Sequence, residues 1–248
     1  TNNLTIVPGT GGQVFVLNDV PFDTSYAQSK ICGLDNNYIA MTWRDTYTST
    51  SYYAVFNNAI AIKSATSLGN ITLIDLKPIR HSTNKFVLLC STSSTAHYIK
   101  LFNSSGFVLI NTQYSSRNLS NPRIVVDSTN AFNILATDNN LGSTWLVINR
   151  FDFDGTRMGT EQIHQIYSLF KANSYDCIYD NEDTGIGQTI FIGYYNNYLY
   201  QILITGYVWP AFVLDGAVEF NGLKITGTQL GLKYLFYGTG NLLFNIVQ

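Results

Sequence analysis

The chain has 248 residues, of which only 12% are charged, and a net charge of −2. That length can bury a large core as one all-β unit. The near-neutral balance excludes the clustered Lys and Arg that nucleic acid or an anionic membrane surface would require.

In chain order, the first strand-like runs are Leu4 to Val7 and Gln13 to Leu17, separated by Gly9-Thr10-Gly11-Gly12. A phosphate cradle would need a strand-to-helix setting that these glycines lack, so they read as a hairpin turn. The chain opens on Thr1 with no visible signal peptide, as a processed protein or an excerpt would. From Tyr26 onward a pattern recurs. A turn precedes an apolar strand opening on an aromatic, and a second strand ends in Phe, a polar turn and Gly. The opening aromatics Tyr38, Phe86 and Phe132 fall 48 and 46 residues apart. The closing residues Phe56, Phe102 and Phe151 fall 46 and 49 apart. Two columns keeping one period predict four-stranded units of about 46 to 48 residues, the length of a propeller blade.

The blades are expected over about 26–69, 70–118, 119–165, 166–220 and 221–248, the last one strand short and completed by residues 1–20. The predicted fold is therefore all-β, a five-bladed β-propeller forming a single domain and closed by the N-terminal strand pairing into the last blade. Closure hides edge strands that would otherwise invite association. Small residues recur after the opening aromatics, Thr42, Cys90 and Ala136, with Gly193 and Gly238 in equivalent places, as a tapering packing requires. Between Thr160 and Lys171 the pattern admits a short helix with Ile163, Ile166, Tyr167 and Phe170 on its apolar face, or a loop with one short strand. The apolar stretch Gln201 to Leu214 is broken by Gly206 and Pro210 and is too short to span a bilayer.

Few residues suggest chemistry. Cys32, Cys90 and Cys177 are odd in number and lack metal spacing, so buried free thiols are expected. His81, His97 and His164 pair with neither one another nor a carboxylate, and read as polar strand-end residues. Asp180-Asn181-Glu182-Asp183 lacks the register of a calcium loop and reads as a solvated loop. No cofactor or metal is expected. Asp35, Asp127, Asp180 and Glu182 follow predicted inner strands, where turn capping explains them and a paired-carboxylate hydrolysis is the rival. The four N-x-S/T sites, at Asn3, Asn70, Asn103 and Asn118, are as many as this composition yields by chance.

The run Leu34 to Trp43, with the turns Phe102 to Gly106 and Phe151 to Gly155, resembles the repeats of bacterial surface and bacteriophage tail propellers. The resemblance implies a recognition module displayed extracellularly or on a virion surface. The expectation is a non-enzymatic binding or structural protein with a glycan or protein receptor as partner and possible assembly into a larger appendage. Aromatic rings near strand ends would make the contact: Trp43, Tyr47, Tyr194, Tyr195, Tyr207 and Trp209. The rival from another class is a five-bladed glycosidase using Asp127 with Asp35 or Glu182.

Overall fold

The computed structural model describes the backbone of residues 4–9, 12–17, 26–58, 60–79, 84–127, 129–141 and 145–165 and of seven further strands between 175 and 247. Within these ranges, side chains are described from 28 to 163. Every described element is a strand or a turn. The chain divides into two compact units, Thr1–Ser116 and Arg117–Gln248.

In the first unit, β1 (Leu4–Gly9) and β2 (Gly12–Leu17) form an antiparallel pair in which Gly9 lies opposite Gly12. β3 (Tyr26–Gly33), β4 (Tyr38–Asp45), β5 (Thr50–Asn57) and β6 (Ile60–Gly69) make one antiparallel sheet in sequential order. β7 (Thr72–Ile79), β8 (Lys85–Ser93), β9 (Ala96–Asn103) and β10 (Val108–Ser115) make the next. The two sheets share a core. Cys32, Leu34, Ala40, Tyr53 and Val55 come from one side, and Ile71, Leu73, Leu76, Phe86, Leu88, Cys90 and Phe102 from the other. The rings of Phe86 and Phe102 stack at 4.6 Å and Tyr53 tilts against Phe102 at 4.8 Å, which explains why the period keeps its aromatics.

In the second unit, β11 (Leu119–Val126), β12 (Phe132–Asp138), β13 (Trp145–Phe151) and β14 (Gln162–Gln165) form a four-stranded sheet. β15 (Tyr175–Asp180), β16 (Gln188–Tyr195), β17 (Tyr198–Ile204) and β18 (Phe212–Gly216) form another. β19 (Lys224–Gly227), β20 (Lys233–Tyr237) and β21 (Leu243–Val247) form a sheet of three. Phe132 and Phe151 stack at 5.2 Å, repeating the Phe86–Phe102 pair. Within each unit, consecutive sheets meet along their first strands: β3 lies beside β7, β11 beside β15, and β15 beside β19. That is how sheets packed as blades meet.

The period is legible down to single hydrogen bonds. Asn103 Oδ1 accepts from Ser105 N and Phe107 N at 3.1 and 2.9 Å, while Gly106 N donates to Asn103 O at 2.9 Å. Asp152 repeats this with Asp154 N, Thr156 N and Gly155 N at 2.9, 2.8 and 3.0 Å. Gly106 and Gly155 adopt φ of 76° and 79°, a region open mainly to glycine.

Of the two forms expected between Thr160 and Lys171, the short strand is the one present, over Gln162–Gln165, where its residues extend the β13 ladder from Ile148 to Trp145. β1 and β2 pair with each other as a two-stranded sheet. A feature not anticipated is a bulge in the first strand of three successive sheets. The register shifts between Ala27 and Lys30, between Leu73 and Asp75, and between Ser120 and Arg123. Each shift lies opposite or beside a small residue of the repeating column: Thr42, Cys90 or Ala136. A bulge increases local twist, and a small side chain opposite gives the extra residue room.

Candidate functional site

Carboxylates on the turns after first strands were the sequence-derived catalytic candidates. Asp127 ends the β11 turn, where Asp127 Oδ1 accepts from Thr129 N at 2.8 Å and Thr129 Oγ1 at 2.6 Å. Its Oδ2 accepts from Arg150 Nη2 at 3.2 Å, and only 6% of its side chain is exposed. Both oxygens are therefore engaged in holding a turn against β13. Asp35 occupies the corresponding turn of the first sheet and is exposed. Its backbone N donates to Asn84 Oδ1 at 3.3 Å, while Asn84 Nδ2 donates to Asp35 O at 3.1 Å. These bonds tie the turns of the first two sheets. Asp180 ends β15 with its side chain undescribed, and Glu182 lies outside the described residues.

The densest charged constellation was missed by sequence reasoning. Arg117, in the linker before β11, donates from Nη1 to Asp138 Oδ2 at 2.8 Å and from Nε to Glu161 Oε1 at 2.5 Å. Glu161 Oε2 accepts from Asn149 Nδ2 at 3.1 Å, and Asn149 Oδ1 accepts from Arg157. The Asp138 side chain is fully buried, Arg117 is 34% exposed and Glu161 19%. Hydrogen bonds donated to Glu161 first and Asp138 second push the Arg117 guanidinium above its usual range. The three charges are 21 and 44 residues apart in sequence, so no local motif marks them. One faint signal exists: Asp138 and Arg44 each stand six residues after an opening aromatic. Arg44 grips a linker too, donating to Ile71 O and, from Nη2, to Asn70 Oδ1 at 2.8 Å. Both positions hold a sheet to the segment entering a first strand.

The expected aromatic contacts divide. Trp43 is 7% exposed, its ring stacked on Tyr52 at 5.8 Å, so it packs inside the first sheet instead of standing at a loop. Tyr47 is 87% exposed on the β4–β5 turn. That turn is fixed by Asp45, whose Oδ1 accepts from Tyr47 N at 2.8 Å and whose Oδ2 accepts from Thr48 Oγ1 at 2.7 Å. The Thr48 hydroxyl is the main cause holding the Asp45 carboxyl below its ordinary value. Tyr194 and Tyr195 belong to β16 with undescribed side chains, and Tyr207 and Trp209 lie outside the described residues. His97 is buried on β9, its Nε2 3.0 Å from Ser94 O. Cys32 and Cys90 are buried. No group of three or more His, Cys, Asp or Glu among the described residues is arranged to hold a metal.

No protein-family model matches the chain, and no curated protein matches it in sequence. Among solved structures it is similar to a Hadza microbial sialidase, with a TM-score of 0.61 and 11% identity over 90% of this chain and 52% of that one. It is also similar to an endo-arabinase from Bacteroides thetaiotaomicron, with a TM-score of 0.51 and 11% identity over 89% of this chain and 93% of that one. The chain spans about half the length of the sialidase. At such identity the likeness shows the fold, which is β-propeller-like. Neither comparison supports the surface or phage-tail type of repeat. The expectation of a non-enzymatic module is overturned here, because the solved proteins that share the fold are enzymes.

Proposed function

We propose that this chain is a carbohydrate-active enzyme, a glycoside hydrolase built on a five-bladed propeller. The observation that carries the reading is the likeness to the endo-arabinase along nearly the whole of both chains. Hydrolysis of a glycosidic bond requires one carboxyl to protonate the leaving oxygen and a second to act as base or nucleophile. Asp127 with Glu182 remains the proposed set. Because Asp127 also caps a turn and pairs with Arg150, its replacement needs a stability control. Tyr47, Tyr194, Tyr195, Tyr207 and Trp209 are proposed to offer stacking faces to sugar rings. An extracellular setting suits a polymeric glycan substrate.

The ring is proposed to close by the first strands completing the three-stranded last sheet. Two observations support this. Four other sheets have four strands each, while the last has three and β1–β2 stands as a pair. The first sheet also carries a second apolar face, with Trp43, Ala54 and Phe56 at its centre and Met41, Tyr52, Ala61 and Ala65 around them, and Ile31 64% exposed. A face of that composition belongs against another sheet.

The test is reducing-end release from a panel of arabinans, galactans and xylans by the purified chain, with Asp127→Asn alongside. Release by the wild type, with loss of at least about 100-fold in a folded Asp127→Asn variant, is expected. A folded wild type that releases nothing from any polysaccharide or oligosaccharide would overturn the reading.

A further inference from the structure

We propose that Lys30 and Asp75, on the first strands of the first two sheets, form a glycan-binding site, an inference that rests on the glycoside hydrolase reading for its ligand class. The placement follows from register. In the ladder of second and third strands, Ile39 lies opposite Phe56, Phe86 opposite Phe102 and Phe132 opposite Phe151. Three residues further along the second strand stand Thr42, Leu89 and Leu135. Their partners on the first strands are Lys30, Asp75 and Arg123. Each of the three is the residue at which pairing resumes after the bulge, and each is half-buried. The same count from Thr189 opposite Ile204, and from Lys233 opposite Val247, reaches Asp176 and Lys224 on β15 and β19. Only 12% of the sequence is charged, so a charge at this place in every repeat is a property of the place. Drawing a charge partly out of water is costly, and packing a first strand does not require it.

Lys30 and Asp75 belong together because their strands do. β3 lies beside β7, and the two bulges are joined directly: Gln28 Oε1 accepts from Leu73 N at 3.0 Å. That bond fixes the two strands against each other just before both charges. Gln28 takes φ of 63° in making it, a conformation its residue type rarely adopts. Asp75 Oδ1 accepts from Leu76 N at 2.9 Å, which sets the direction of the carboxylate. Bulges re-aim side chains in this way beside binding and active sites. An ionised carboxylate accepts hydrogen bonds from adjacent hydroxyls of a sugar ring, and an ammonium donates to a further oxygen. Charge-assisted bonds of this kind are roughly twice as strong as neutral ones.

The experiment is calorimetric titration of the full chain, wild type, Asp75→Asn and Lys30→Met, with arabino-, galacto- and xylo-hexaose. Thermal unfolding of each variant and hydrolysis of each sugar are followed in parallel. Binding of at least one hexaose by wild type, weakened at least about tenfold in each variant with the unfolding midpoint unchanged, is expected. Affinity within about twofold of wild type in either folded variant would overturn the inference. So would failure of wild type to bind any of the three sugars. Loss of the fold in both variants would assign the two charges to structure and overturn it as well. Binding that depends on Lys30 and Asp75 without hydrolysis would remove the enzyme reading and leave the site standing. Hydrolysis by wild type, with binding indifferent to both substitutions, would do the reverse.

Discussion

Cys90 lies at the centre of the shared core of the first two sheets, and burial pushes its thiol up to about 11 against the nearby favourable charge of Lys100. Its ionised form is therefore disfavoured in the fold. Stability should be undiminished below pH 9.0 and fall as pH rises from there toward about 11, since the unfolded chain releases the proton first. Comparing urea midpoints of wild type and Cys90→Ala across that window checks this, the wild type losing stability more steeply. Gly106 makes a second single-residue test. It holds φ at 76°, and a Cβ there would come within 2.8 Å of Lys63 Cβ and Cγ and 3.3 Å of Val55 Cγ2. Gly69 holds φ at 79° with open space around it. Gly106→Ala should cost about 2–3 kcal/mol and Gly69→Ala about 1 kcal/mol, because only the first adds a backbone-proximal clash to the left-handed strain. Equal losses in thermal unfolding would contradict the packing described for that turn.

At the scale of the element, the turns were readable because their chemistry is local. Asn103 and Asp152 each accept two backbone N–H bonds from the residues two and four ahead, a task their side-chain length allows and few others perform. Asp152→Asn should therefore change stability by less than about 0.5 kcal/mol, while Asp152→Ala should cost about 1–2 kcal/mol. Denaturant titration separates the two. The bulges of β3, β7 and β11 were only half legible. Their small opposite residues, Thr42, Cys90 and Ala136, formed a visible column, but which strand carries the extra residue depends on pairing. Gln28 illustrates why. It takes φ of 63°, rare for its type, and its Oε1 accepts from Leu73 N at 3.0 Å, 45 residues away in the next bulged strand. The Arg117 centre was hidden for the same reason, since an ion pair between a linker and a strand end leaves no spacing to read. Asp138→Ala, which leaves Arg117 with one carboxylate fewer and removes the cap on Asn140 N, should destabilise the second unit by about 3 kcal/mol in denaturant unfolding.

For the whole molecule, periodicity revealed the four-stranded sheets because each sheet must solve the same packing problem with the same few aromatics. It could not reveal the chemistry. Catalysis depends on carboxylates brought together by several sheets, whereas Asp45, Asp127, Asp138 and Asp152 each have a local capping role that accounts for them equally well. Trp43 shows the converse limit: an aromatic near a strand end looks available until the sheet folds and stacks Tyr52 upon it. The residues alone pointed to passive recognition, and the likeness of the fold to solved enzymes is what turned the proposal toward hydrolysis. The most direct measurement is a proton NMR time course of linear arabinohexaose incubated with the purified chain. New anomeric signals from shorter arabino-oligosaccharides, growing in proportion to protein concentration, are predicted. An unchanged spectrum after prolonged incubation with folded protein, repeated for neutral galacto- and xylo-oligosaccharides, would contradict the account.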